Sequence, residues 1–207
     1  MLVNLITELK HFFYVCLFLL AKIEGRKNMP QNKKERAIFA FLTVLVTVHA
    51  YVFYSLYVIN GNTFMNITGE TSVLKAINSL GGVYMIGHYV PIWVVVLTEL
   101  FFAFTAEMLI GSPFSFKMAS KNYDIKKTNP TDFEKAIISY TVAIMVPVMS
   151  FIAALLYYPY YMGFNIFTLL ANWLKLICFN FPFAYFSQIF FIQPLIRIVF
   201  KFLFKRK

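Results

Sequence analysis

Four stretches of this 207-residue chain are too apolar to have water as the solvent on their outer faces. One of them, Ile92 to Gly111, reads IWVVVLTELFFAFTAEMLIG and lies almost wholly within a predicted span from Tyr89 to Ile110. The others cover Arg36 to Ile59, Ala136 to Tyr157, and about Leu169 to Ile192. Crossing a hydrocarbon core of about 30 Å takes about 20 helical residues, so each stretch is long enough. In lipid every backbone N–H and C=O must be satisfied from within, which leaves these runs the helix as their fold. Turn-forming residues separate them: NGN after Ile59, SLGG before Val83, GSP after Ile110 and YYPYYMG after Leu156.

Charge placement supports the same reading. With 60% hydrophobic and 14% charged residues, the chain has too few charges to cover a soluble surface. The net charge of +10 raises nucleic acid as a partner, but the cations are gathered in the gaps between apolar runs. Lys22, Arg26, Lys27, Lys33, Lys34 and Arg36 precede the first span. Lys117, Lys121, Lys126, Lys127 and Lys135 lie between the second and third, and Arg197, Lys201, Lys205, Arg206 and Lys207 close the chain. The remaining two connections hold Lys75 alone. The positive-inside rule then puts both termini and the central loop in the cytoplasm, and the residue bias fits a bacterial cytoplasmic membrane. No nucleic-acid partner is expected. The tyrosines of YYPYYMG are expected to anchor in the outer headgroup layer.

Residues 1–28 are harder to place, because their uninterrupted apolar run, Phe12 to Ala21, is too short to span. They read either as an interfacial helix or as an extension upstream of a true start at Met29, where Glu24, Gly25 and Arg26 can be encoded by a ribosome-binding sequence. At the other end Pro194 is expected to end or kink the fourth span. Beyond it Arg197, Lys201 and Lys205 recur at every fourth residue against Ile196, Val199, Phe200 and Leu203, the pattern of a basic amphipathic helix on anionic inner-leaflet lipids.

The two halves repeat. ERAIFAF at Glu35 matches EKAIISY at Glu134, and FFAFTAEMLIGSP at Phe101 matches PFAYFSQIFFIQP at Pro182, so that Glu107 falls on Gln188 and Pro113 on Pro194. Each half is a hairpin of two spans, residues 29–116 and 117–207, and hairpins insert in the same direction. The predicted fold is an all-α, four-helix transmembrane bundle of two duplicated helical hairpins, with interfacial amphipathic helices at the termini. The segments MPQNKKERAIFAFL at Met29, VPIWVVVLTELF at Val90 and PVMSFIAALLY at Pro147 resemble a family of bacterial integral membrane proteins, domain of unknown function 2798, often present in two copies. The resemblance covers Met29 to Lys207 and implies a membrane protein without implying an activity.

Polar residues within the spans are the candidate site. Glu99, near the middle of span two, costs about 2 to 3 kcal/mol to insert if ionised, which the surrounding aliphatic residues offset. It must face the bundle interior, and an intramembrane carboxyl is a functional-site candidate. His88 lies eleven residues earlier, about 16 Å away at 1.5 Å per residue, beyond direct contact. Lys175 is the expected partner, its long stem bridging an offset in depth. Glu107 is expected at the interface or near the loop lysines. Thr43, Thr47, Tyr51 and Tyr54 form a polar stripe on span one, Asn172, Asn180 and Ser187 one on span four. His49 lies off the first stripe, where a second copy could pack. Ala136, Ser139, Ala143, Pro147, Ser150 and Ala154 give span three a small-residue face for close packing.

Known catalytic signatures are absent from the sequence, and the two cysteines, Cys16 and Cys178, indicate neither a disulfide nor a metal site. No enzyme activity, metal or cofactor is expected, although His88, Glu99 and the tyrosines are capable of acid–base work. Two readings follow: a small transporter or channel subunit with a Glu/Lys polar path, or a non-catalytic scaffold in which the same groups hold helices together. Four spans are few for a transporter acting alone, so a homodimer is expected.

Overall fold

The computed structural model describes residues 32–124 and 127–204. The readings of residues 1–28 and of Lys205 lie outside them. Four long helices carry the chain: Lys34–Ile59, Ile92–Asn122, Asp132–Leu156 and Ile166–Leu203, each apolar and long enough to cross a membrane. We refer to them as spans one to four. Their outer faces are hydrocarbon. Trp93, Leu97 and Phe101, at fourfold spacing on span two, are 64%, 56% and 66% exposed, a stripe that only lipid or another apolar partner can cover.

Span one is α1 (Lys33–Phe53) continued by a π-helical turn, Tyr54–Ile59. Its start is capped by Asn32, whose Oδ1 accepts from the Glu35 N–H at 2.8 Å while its Nδ2 donates to the Glu35 carboxylate at 3.1 Å. Two short helices, α2 (Gly61–Thr68) and α3 (Val73–Ser79), and a hairpin of β1 (Val83–Met85) and β2 (His88–Val90) then cover one end of the bundle. Val83 pairs with Val90 and Met85 with His88. The hairpin departs from the all-helical expectation and moves the start of span two from Tyr89 to Ile92. Its two-residue turn has Ile86 at φ 48° and Gly87 at φ 83°, a twist suited to hairpins but strained for a β-branched residue. The Ile86 N–H holds the turn by donating to Leu156 O at 2.8 Å. Gly82 is required beneath it, since a Cβ there would lie 2.0 Å from Val90 O.

Span two is α4 (Ile92–Ala106), a π segment (Glu107–Gly111) and α5 (Ser112–Asn122). Span three is α6 (Pro130–Leu156), and span four is α7 (Ile166–Ser187), a π segment (Gln188–Ile192) and α8 (Gln193–Leu203). Pro113 and Pro194 each follow a π segment, and neither ends its helix. Proline removes one N–H donor and crowds the preceding turn. Widening that turn, so that the Ser112 N–H reaches back to Glu107 O and the Gln193 N–H to Gln188 O, lets the helix pass. The predicted break at Pro194 is therefore corrected to a continuous helix. Span two continues past residue 116 to Asn122.

At 38 residues span four is about 57 Å long, nearly twice the hydrocarbon thickness and more than one crossing needs. The apolar face of α8 is nevertheless covered by protein: Ile196 and Phe200 are 1% and 0% exposed, and Phe200 packs edge-on against Phe39 of span one. Arg197 is not a free lipid contact either, because its guanidinium pairs with Glu134 at the start of span three. Of the three predicted surface cations, Lys201 is the one that remains exposed among the described residues.

Spans three and four share the tightest seam. Trp173 Nε1 donates to Pro147 O at 2.9 Å, and Asn180 Nδ2 donates to Ser150 Oγ at 3.2 Å. The small-residue face is used, but Ala143 is exposed, and Val142 and Val146 enter the seam beside Ala184 instead. Replacing Trp173 by Phe is expected to lower stability in detergent by about 1 kcal/mol, read as a lower unfolding temperature. An unchanged transition would show that the bond contributes nothing. In the YYPYYMG loop Tyr158 is buried, not interfacial: its hydroxyl accepts from the Asn165 N–H at 2.7 Å and fixes the entry to span four. Tyr161, 76% exposed, does reach outward.

Candidate functional site

Between the four spans lies a cavity of about 710 Å³. On span one it is lined from Arg36 to Asn60, which at 1.5 Å per residue is about 36 Å, the depth of a bilayer. Arg36, Ser115 and Phe116 line its termini end. At the hairpin end Phe64, Val83 and Tyr84 stand over it.

Most of the predicted stripe on span one faces this space. Thr43 and Thr47 satisfy their hydroxyls on their own helix, donating to Phe39 O at 2.9 Å and Thr43 O at 2.6 Å. Thr47 Oγ1 also accepts from Gln188 Nε2 of span four at 2.8 Å. Tyr51 reaches Asn180 O at 3.4 Å. Tyr54 is turned out of the cavity wall: its ring stacks on Phe183 at 4.0 Å, and its hydroxyl donates to Phe179 O at 3.2 Å. Asn172 and Asn180 line the cavity, whereas Ser187 is buried with its hydroxyl on Ala184 O.

Glu99 faces the cavity, and its partner is not the one expected. Tyr157, one residue past the end of α6, donates to Glu99 Oε1 at 2.9 Å. Lys175 lines the same cavity but forms no ion pair with Glu99; among the described residues the ion pairs are Lys127–Asp124 and Arg197–Glu134. Span four leans on span three, so Lys175 stays an exposed wall residue while the end of span three supplies the hydroxyl. His88 is exposed on β2, pairs with Met85 in the hairpin and is not part of the site. His49 is exposed on the lipid side, bonded to Leu45 O.

Glu107, expected at the interface or the loop lysines, lines the cavity from the π segment. Its Oε1 accepts from Ser112 Oγ at 2.7 Å. The carboxylate curls back over Gly111, where a Cβ would come within 2.5 Å of Oε2. Span four repeats the arrangement with a neutral amide: Gln188 opens its π segment, and its Oε1 accepts from Gln193 Nε2 at 3.3 Å. Sequence reasoning omitted Gln188 and Tyr157 from the site. The alignment of Glu107 on Gln188 was a signal for the first; nothing local marks the second.

The wall therefore offers two carboxylates on span two and hydroxyls and amides from spans one, three and four. Such groups can hold a proton or a positive charge and pass it between oxygens. Among the described residues no cluster of three metal-binding side chains occurs. No family model, curated protein or solved structure matches the chain.

Proposed function

We propose that this chain is a small membrane transporter or channel subunit whose path is the central cavity, with Glu99 as the group that takes up the moving charge. One observation carries this reading: a largely apolar cavity running about 36 Å between Arg36 and Asn60, with the carboxyls of Glu99 and Glu107 and a few hydroxyls and amides on its wall. A solid helical seam would have closed around so costly a group or paired it with a cation. The duplication belongs to the same reading. Its support is that both even-numbered spans open a five-residue π segment at the paired positions Glu107 and Gln188, each followed by a proline and a side-chain bond to the residue five later. With the cationic loops inside, the termini end faces the bacterial cytoplasm and Lys201 the anionic lipids, and a second copy covers the His49 face.

A scaffold is the competing reading, favoured by the interhelical bonds Gln188–Thr47, Asn180–Ser150 and Trp173–Pro147. Thiol labelling separates the two. In a background with Cys16 and Cys178 replaced by Ala, Thr43→Cys and Thr47→Cys, both on the cavity wall and neither fully buried, are expected to react with a permanently charged, membrane-impermeant methanethiosulfonate. Leu97→Cys, on the lipid face, is expected to stay unmodified. Absence of labelling at both cavity positions would leave the scaffold.

A further inference from the structure

We infer that the solute of this cavity is an organic cation with an apolar body, a deepening that rests on the path reading above. Glu99 and Glu107 stand eight residues apart on one helix, about 12 Å, and both face the cavity. Each has one oxygen engaged by a neutral hydroxyl, Tyr157 for Glu99 and Ser112 for Glu107. Neither is ion-paired among the described residues, although Arg36 and Lys175 also reach the wall. Arg36 begins span one and Lys175 lies on span four, and neither forms an ion pair with the acids of span two. Carboxylates held this way in a low-dielectric interior are satisfied by a positive charge arriving from outside.

The remainder of the lining selects the kind of cation. A hard cation such as Ca2+ or Mg2+ needs six or more oxygens close together, which two acids about 12 Å apart do not supply. The cavity is of a size that holds drug-sized molecules, and its wall carries Tyr51, Phe116, Tyr157 and Phe179, rings that pack an apolar body and attract a cation over their faces. The two acids give such a cation two successive stations between the ends of the bundle.

The test uses ions of one shape and opposite charge on the full-length protein in detergent. Tetraphenylphosphonium is expected to bind saturably, and tetraphenylborate is not. Glu99→Gln is expected to weaken phosphonium binding at least about 30-fold, the scale of removing one partner of a desolvated charge pair. Glu107→Gln is expected to weaken it too, and decides alone if the first variant is not monodisperse. Equal binding of the borate, or phosphonium binding unchanged in both variants, overturns the cationic assignment while leaving the path intact. Saturable binding of neither ion also overturns it, and thiol labelling at Thr43→Cys and Thr47→Cys then reports independently on the path.

Discussion

Glu99→Gln is expected to abolish proton- or ion-coupled flux in proteoliposomes, by at least about 100-fold, the lower end of what a positioned proton-transfer group contributes. The substitution is nearly isosteric, and the amide oxygen can still accept from Tyr157, which donates to Glu99 Oε1 in the native chain. Removing a carboxyl from an apolar interior carries no folding penalty of its own, so the unfolding temperature should hold or rise. What is lost is the ability to take up and release a charge. Glu99→Leu makes the complementary case: it deletes the acceptor of Tyr157 and leaves a partly buried hydroxyl unpaired, at about 1 to 2 kcal/mol. If the groups served only to join helices, Leu would lower stability and Gln would change nothing in transport. Wild-type flux through the Gln variant would remove Glu99 from the path.

The second large effect concerns α8. Arg197 and Glu134 join the end of span four to the start of span three, and their side chains are 21% and 18% exposed. Among the described residues the buried Arg197 Nε finds no acceptor, so the pair's carboxylate is the main compensation for that guanidinium. Glu134→Ala leaves the charge uncompensated and is expected to cost about 2 kcal/mol, below the 3 to 5 kcal/mol of a fully buried pair because water still reaches both groups. Arg197→Met in that background removes the stranded charge and fills much of its volume, and should recover a large part of the loss. Unfolding temperatures of the two single variants and the double variant give the coupling. Additive effects would show that the contact does not hold α8 in place. If it does, Glu134→Ala also frees the Ile196 and Phe200 face, and α8 becomes accessible to protease.

Much of the fold was legible because membrane insertion is a local requirement. Whether about 20 residues cross lipid depends on their own side chains, and span one came out within a few residues from apolar runs alone. Charge placement grouped both ends of the chain with the central loop, and the packing of Phe200 on Phe39 brings residues near both described ends together. Glu99 and the Thr43, Thr47, Tyr51 face were legible for the same reason: a polar group within an apolar span must turn inward, and spacing alone gives its direction.

Partners were not legible, because they depend on how helices lean on one another. Glu99 meets Tyr157 and not Lys175; Arg197 meets Glu134 and not lipid; Glu107 curls over Gly111 into the cavity and not toward the loop lysines. The first two outcomes join residues across the bundle, where helix-to-helix depth is set by the summed packing of many side chains, and the third follows from the π turn within span two. The prolines show the same division. Pro113 and Pro194 announce a disturbance from their chemistry, but whether a helix breaks, bends or widens into a π turn depends on what covers the next turn, as Phe39 covers Phe200 beyond Pro194. The amino-acid sequence by itself determined which segments are long and apolar enough to cross a membrane and which polar groups within them need shelter. Only the tertiary structure decided what shelters them, because that depends on distances between helices that no single helix encodes.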